Sequence, residues 1–215
     1  MKKIKRALIS VYDKKKLKNL LKVLKKNRVQ ILSSGGTNKE IKKLGFETIE
    51  ISNYTKYPEV LDGRVKTLNP KIHAGILMKR NNAKHMKESI ERNFQEIDLV
   101  VVNFYPFEKV LEKTNNHKEI LENIDIGGPA LVRAAAKNYK DVTIVSDASQ
   151  YDEVIHHLQK NNCYTSLELR EKLSREAFNT TACYDSNIAN YFNNITENSF
   201  PKKKTFAFKL HEKLR

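Results

Sequence analysis

The chain has 215 residues, of which 40% are hydrophobic and 30% charged, and a formal net charge of +15. That length suits one substantial core, and the balance of apolar and charged residues excludes a disordered polymer. No apolar run approaches the ~18 residues of a membrane span, and residues 1–6 pass straight into a strand-like segment instead of a secretory leader.

The two cysteines, Cys163 and Cys183, have neither metal-ligand spacing nor a disulfide framework around them, which fits a reducing, cytoplasmic compartment. The positive charge invites comparison with nucleic-acid binders. Yet the lysines are spread through nearly every segment alongside abundant Asn. There is no Arg-rich stripe, no aromatic–glycine interleaving and no zinc-finger spacing. The charge reads as serving solubility and the attraction of anionic substrates.

In chain order, apolar β-rich runs fall at 7–11, 29–33, 48–51, 99–104 and 142–145. Helical patterns alternate with them. Leu17, Leu20, Leu21 and Leu24 share one face of the first, and shorter helices are expected over 38–44, 83–95, 117–123, 129–138 and 149–160. Near-continuous apolar strands separated by helices indicate a mostly parallel sheet covered on both faces, a three-layer α/β domain. After about residue 163 the strands stop, and 166–193 reads as a helical C-terminal extension with Leu167, Leu169, Leu173, Ala177, Phe178 and Ala182 as candidates for burial.

In open α/β sheets ligands bind beyond the carboxyl ends of the strands. The second strand runs into Ser34-Gly35-Gly36-Thr37 and then a helix. This is either an anion cradle of exposed N–H groups and hydroxyls or an ordinary turn capped by Thr37 or Asn38. It has neither the P-loop nor the dinucleotide pattern. The first strand ends at Ser10-Val11-Tyr12-Asp13-Lys14, where Lys14 can meet the same anion and Lys15 and Lys16 read as solvated helix.

The stretch Gly63-Arg64-Val65-Lys66-Thr67-Leu68-Asn69-Pro70 sets two cations two residues apart between a glycine and a turn. Asn103-Phe104-Tyr105-Pro106-Phe107 closes an apolar strand with a polar Asn and a Tyr held by Pro, either a ligand wall or a core aromatic. Ile124-Asp125-Ile126-Gly127-Gly128-Pro129 starts a helix whose N–H groups at Ile126, Gly127 and Gly128 can face an oxyanion, with Asp125 as either general base or helix cap. The histidines are scattered. His73, beside the 64–70 stretch, reads as structural, and no metal-ligand cluster is present in the pattern.

Five ordered blocks, 34–37, 63–68, 103–107, 124–128 and 133–138, together closely resemble the IMP cyclohydrolase domain of the bifunctional purine biosynthesis enzymes, over essentially residues 5–215. The resemblance implies a methylglyoxal-synthase-like α/β fold. It also implies closure of formyl-AICAR (5-formamidoimidazole-4-carboxamide ribonucleotide) to IMP with loss of water, without metal or organic cofactor, in a homodimer, with a fused AICAR transformylase domain in the full-length family.

That reaction joins two groups already on one ring, so orientation supplies much of the effective concentration. Removing a proton, stabilising an oxyanion and protonating the departing hydroxyl remain. Asp125 suits the base; Lys66, Tyr105 and the Gly127-Gly128 turn suit the oxyanion; Lys137 suits proton donation or formyl positioning. The resemblance points to the same four side chains, Lys66, Tyr105, Asp125 and Lys137. It further implies substrate contacts from Ser10, Tyr12, Asp13, Lys14, Ser34, Gly35, Gly36, Thr37, Arg64, Val65, Thr67, Val102, Asn103, Ile126 and Gly127.

On a straight helix from Pro129, Lys137 lies about 12 Å further along, so the substrate lies along the helix, the helix is displaced, or a second subunit supplies one group. This chain departs from the family pattern at Asn69, where the family has His, and at Tyr12, Lys15 and Lys16, which replace Ser, Thr and Gly. Residues 1–198 are expected to form the cyclohydrolase-like domain and 199–215 a linker approaching a transformylase domain. The alternatives weighed are a non-catalytic phosphate-sensing module of the same fold, which would not need Tyr105, Asp125 and Lys137 together, and a methylglyoxal synthase, against which the Asp125–Lys137 block argues.

Overall fold

The computed structural model of the protein describes residues 1–196 and 200–208. After a two-residue strand β1 (Lys2–Lys3), the chain builds β2 (Arg6–Val11), helix α1 (Leu17–Lys26), β3 (Gln30–Ser33), α2 (Gly35–Lys43) and β4 (Ile49–Glu50). Helices α3 (Ile51–Thr55), α4 (Pro70–Leu77) and α5 (Ala83–Glu91) then lead to β5 (Leu99–Asn103). Next come α6 (Phe107–Leu111), α7 (His117–Glu122), α8 (Gly127–Lys137) and β6 (Thr143–Val145). The last elements are α9 (Tyr151–Lys160), β7 (Tyr164–Thr165) and α10 (Leu167–Ile195).

The central sheet has five strands in the order β4-β3-β2-β5-β6, all parallel. In register, Ala7, Leu8 and Ile9 lie between Ile31, Leu32 and Ser33 on one side and Leu99, Val100 and Val101 on the other. Leu8, Ile9, Leu32, Val100, Val101 and Ile144 are buried, as expected where both faces are covered, and this is why the strands read as unbroken apolar runs.

Right-handed crossovers dictate the layers. From β2 through β3 to β4 the chain steps one way across the sheet, and from β4 to β5 and β6 it steps the other way, so the two sets of connecting helices fall on opposite faces. The packing agrees: α1 lies against α9, while α8 lies on β5 and β6 and against α4 and α10. A smaller apolar cluster, Phe107, Val110, Ile120 and Tyr184, ties α6, α7 and α10 together beside the main core.

The expected strands and the helices α1, α2, α5, α7, α8, α9 and α10 are present, with ends displaced by a few residues; α2 begins at Gly35, not residue 38. The strands do not stop at residue 163, however, because β7 pairs antiparallel with β1. A two-residue strand carries no periodicity to read, and backbone pairing with the N-terminus alone creates this one. The short α3, α4 and α6 were also not anticipated. Helix α4 is signalled by Asn69, whose side chain accepts the Lys71 N–H at 2.9 Å, followed by Pro70 in the first turn. Of the expected 199–215 linker, 200–208 are irregular and lie partly along α10, where Thr205 bonds Ser186 and Asn190; residue 199 and the 209–215 stretch lie outside the described residues.

Asp98, 2% exposed, fastens the entry to β5. Its carboxylate accepts the N–H groups of Lys5 and Arg6 at 2.7 and 2.8 Å and pairs with Arg80 at 2.7 Å. Removing one partner of such a buried pair leaves the other charge uncompensated. Asp98→Ala is therefore expected to lower stability by about 3–5 kcal/mol, read from the urea midpoint, and a loss under about 1 kcal/mol would show that water replaces the pair.

Candidate active site

The strand order reverses at β2. The chain leaves it toward β3 on one side and returns to β5 on the other, so the loops beyond the ends of β2 and β5 diverge and leave a crevice. A cleft of about 920 Å³ opens there, lined by the ends of β2 (Ser10, Val11, Tyr12) and β5 (Val102, Asn103) together with the loops that follow them. Asn103 holds the two strand ends in place. Its side-chain oxygen accepts the N–H groups of Tyr12 and Asp13 at 2.8 and 2.9 Å, and its amide nitrogen donates to the Asp13 carbonyl at 3.1 Å.

One wall is the N-terminus of α2. Gly35 takes φ +53°, a left-handed conformation that suits glycine, and Gly36 has open space where a side chain would stand. The Ser34 hydroxyl is buried and has no hydrogen-bond partner among the described residues. Thr37 is different: its hydroxyl donates to the Val11 carbonyl and accepts the Val11 N–H, both at 3.0 Å, so it pins α2 to β2. Glu50 accepts the Gly35 N–H at 3.3 Å. The remaining first-turn donors and the positive end of the helix favour an anion beside Ser34 and Gly36.

The 60–68 loop forms the rim. Val60 and Val65 bridge across a turn in which Leu61, Asp62 and Gly63 all take positive φ, leaving the following side chains free to face the cleft. Arg64 forms a two-pronged pair with Glu122 of α7. Lys66 Nζ lies 3.9 Å from Glu59 and 3.7 Å from where a Cβ on Gly35 would stand, which sets its ammonium beside the α2 N-terminus. All four side chains are substantially exposed, so each pair is worth only about 0–1 kcal/mol and yields readily to a competing anion. Thr67 is buried, and its Oγ1 stands 2.7 Å from the Cβ position of Gly127, so only glycine fits there.

The opposite wall is the start of α8. Asp125 Oδ1 accepts the Gly128 N–H at 2.8 Å, and the Asp125 N–H donates to the Tyr184 hydroxyl of α10 at 2.8 Å. Burial pushes the Tyr184 phenol up to about 12, so it stays neutral and in place. Asp125 thus caps α8 and still offers Oδ2, which takes no hydrogen bond among the described residues. Gly128, in contrast, has its N–H committed, and of the three turn donors read from the sequence only those of Ile126 and Gly127 remain. At the mouth, Tyr105 packs edge-on against Tyr12 with ring centroids 4.4 Å apart, and Lys113 Nζ lies 5.4 Å from the Tyr105 centroid.

Of the residues expected from the sequence, the cleft gathers Ser10, Tyr12, Lys14, Ser34, Gly36, Thr37, Arg64, Val65, Lys66, Thr67, Val102, Asn103, Tyr105, Asp125, Ile126 and Gly127. Gly35 stands just behind its wall. Asp13 turns away, accepting the Lys15 N–H at 2.9 Å. Lys137 is not brought in. From the cleft-lining Leu131 six residues of α-helix carry Lys137 about 9 Å along the axis and roughly 120° round it, to an exposed position. His73 does not line the cleft, and burial lowers its pKa below the ordinary imidazole value. The sequence reading missed Glu59, Lys113, Glu122 and Tyr184. Glu122 and Tyr184 sit in segments that read as ordinary helix and Lys113 in a stretch where no element was expected, and only packing of α6, α7 and α10 around the 103–107 segment brings them to the site. Among the described residues no group of His, Cys, Asp and Glu could hold a metal ion, and no helix is long and apolar enough to cross a membrane.

The MGS-like domain family matches residues 16–130, and the AICARFT/IMPCHase bienzyme family matches residues 135–215. The bifunctional purine biosynthesis protein PurH of Lactobacillus acidophilus is 48% identical over 99% of this chain, and that of Clostridium botulinum is 45% identical over 99%. The chain spans 41% and 42% of those relatives' own lengths. Among solved structures, that of ForH superposes with a TM-score of 0.79 at 30% sequence identity, covering 87% of this chain and 96% of the other.

The orphaned hydroxyl of Ser34 gives a direct test of the anion wall. Ser34→Ala is expected to weaken binding of a nucleoside monophosphate about tenfold or more, since one hydrogen bond to a charged group is lost. The melting temperature should hold or rise slightly, because the buried hydroxyl has no partner to lose. Titration calorimetry beside a thermal melt separates the two, and an unchanged affinity would move the anion elsewhere.

Proposed function

The chain belongs to the MGS-like domain family, and from that membership and its likeness to PurH we propose that it is an IMP cyclohydrolase, closing formyl-AICAR to IMP with loss of water as the last step of de novo purine biosynthesis. The observation that carries the reading is the meeting, at one sheet switch point, of an anion cradle at Ser34 and Gly36 with a cation, Lys66, a phenol, Tyr105, and a carboxylate, Asp125.

In this reading the nucleotide phosphate docks against Ser34, Gly36 and the α2 N-terminus. Lys66 and Arg64 exchange their glutamate partners for it, with Lys14 adding charge. Ser10, Tyr12, Val65, Thr67, Val102, Asn103, Ile126 and Gly127 shape the remainder, Asn103 and Thr67 chiefly by holding the walls. Asp13 and Gly35 support the cradle from behind. The substrate's carboxamide nitrogen attacks its formamide carbon, and Asp125 Oδ2 removes the nitrogen's proton. The oxyanion that forms is met by the Tyr105 hydroxyl and the N–H groups of Ile126 and Gly127, at the positive end of α8. The oxyanion takes up a proton, and a second proton delivered to the resulting hydroxyl lets it leave as water while the former formamide nitrogen gives up its own N–H proton, so that the C=N bond completing the new aromatic six-membered ring forms.

Lys137 does not reach the cleft of its own chain, so its role as proton donor or formyl-positioning group requires a homodimer in which it enters the partner's cleft. The enzyme is proposed to work in the cytoplasm without metal or organic cofactor, and without nucleic-acid or membrane partners. A fused AICAR transformylase domain belongs to the proposal for the full-length protein. The non-catalytic phosphate-sensing alternative is not favoured, since the relatives are bifunctional biosynthetic proteins.

The test is IMP formation from formyl-AICAR, followed in the ultraviolet without added metal. Wild type should turn over; Asp125→Asn should lose about 10²–10⁴-fold and Lys66→Ala about 10²-fold in kcat/KM, with folding intact. Mixing the inactive Lys137→Ala and Asp125→Asn chains should restore about a quarter of wild-type activity in a symmetric dimer with shared sites. No recovery would confine the site to one chain, and a silent wild type with intact nucleotide binding would sink the cyclohydrolase reading.

A further inference from the structure

Asp125, the base of the reaction proposed above, lies between two helices and belongs to neither. Helix α7 ends at Glu122 and α8 begins at Gly127. The Ile124 N–H still closes a turn on the Leu121 carbonyl at 3.1 Å. Beyond it, of the three N–H groups at residues 125–127, only that of Asp125 finds a partner among the described residues, the Tyr184 hydroxyl at 2.8 Å. The other hydrogen bond of Asp125, from the Gly128 N–H to Oδ1, is internal to the turn. It fixes the shape of the turn but travels with it. Apolar packing of Ile124 confines the segment without giving it a direction. The directional tie between this turn and the rest of the protein is the Tyr184 hydroxyl.

Tyr184 is itself firmly placed. It lies midway along α10, buried, with its ring 4.8 Å from that of Phe104 and 6.3 Å from that of Phe107. Those two residues flank Tyr105 and Pro106, and Tyr105 packs on the same apolar cluster as Ile124. The hydroxyl that holds Asp125 therefore stands on the body that carries Tyr105. Burial keeps the phenol neutral, with its pKa pushed up to about 12, so its oxygen remains an acceptor throughout the neutral range. Tyr184 does not line the cleft and so does not meet the substrate. Ring closure needs the base at the attacking nitrogen and the Tyr105 phenol at the oxyanion together, and a misplacement of about 1 Å can cost about 10²-fold.

We propose that Tyr184 is a positioning residue for the cyclohydrolase reaction: by accepting the Asp125 N–H from a ring fixed against Phe104 and Phe107, it sets the Asp125 carboxylate at a constant separation from Tyr105. The inference rests on the activity proposed above.

The experiment is a double-mutant cycle of Tyr184→Phe with Asp125→Asn on the intact chain. Tyr184→Phe keeps the ring in the cluster and deletes only the acceptor, so the melting temperature should fall by no more than about 4 °C. It is expected to lower kcat about ten- to hundredfold with KM changed less than about twofold, because the phosphate docks at α2, away from this turn. In the Asp125→Asn background, where no base remains to be placed, Tyr184→Phe should cost less than about twofold.

Full kcat in Tyr184→Phe, a loss confined to KM, or an equal loss in both backgrounds would overturn the proposal. A second readout stands apart from turnover. In a chain labelled with ¹⁵N at aspartate, the Asp125 amide signal, assigned by its disappearance in Asp125→Asn, should move upfield in Tyr184→Phe and exchange faster with solvent. If wild type makes no IMP yet that signal moves, the activity reading fails and takes the catalytic role of Tyr184 with it, while the tether stands. A signal that stays in place removes the tether, and the proposal with it.

Discussion

In an open parallel sheet the connections must part where the chain order reverses, and here they part between β2 and β5. The gap would be a loose seam if nothing crossed it. Asn103 crosses it, with its one amide accepting from Tyr12 and Asp13 and donating to the Asp13 carbonyl, so that the two strand ends move as a unit. Everything else in the cleft is placed relative to that junction. Thr37 fastens α2 to the end of β2, Tyr12 meets Tyr105 across the seam, and the 64–68 segment reaches from the α2 start to the α8 start.

The cleft joins two helix N-termini, of α2 and α8, around one rim of exposed cations. Each terminus contributes free N–H groups and a positive dipole end. The pair suits a substrate with a permanent anion at one end and a transient one at the other. The α2 end offers a hydroxyl with no partner among the described residues and room for close approach; the α8 end offers a carboxylate held by the Gly128 N–H, on a residue whose own backbone N–H donates to the Tyr184 hydroxyl. In the free protein Arg64 and Lys66 rest on Glu122 and Glu59 near solvent, contacts weak enough for a phosphate to displace.

How much of this was legible in the sequence varied with the range of the forces involved. The sheet was, because strands buried on both faces must be apolar throughout, and the cradle was, because Ser34-Gly35-Gly36-Thr37 changes the chemistry at a strand end. The roles of single groups were less so. Thr37 and Asn103 look like ligand contacts from composition, yet their polar atoms are spent largely on the protein's own backbone. Asp125 read as base or cap, and the geometry makes it a cap with one oxygen to spare. Glu122, Lys113 and Tyr184 carried no local signal, since their place depends on how α6, α7 and α10 pack on one another. Asn69 reads in the structure as the cap of α4, a part that asparagine plays well.

The measurement that bears most directly on this account is a crystal structure of the chain with IMP bound. The account predicts the phosphate against Ser34 Oγ and the Gly36 N–H, with Arg64 or Lys66 released from its glutamate, and the purine ring between Tyr105 and Asp125 at the start of α8. A phosphate seated away from the α2 N-terminus, or a purine that leaves Asp125 and Tyr105 untouched, would contradict it.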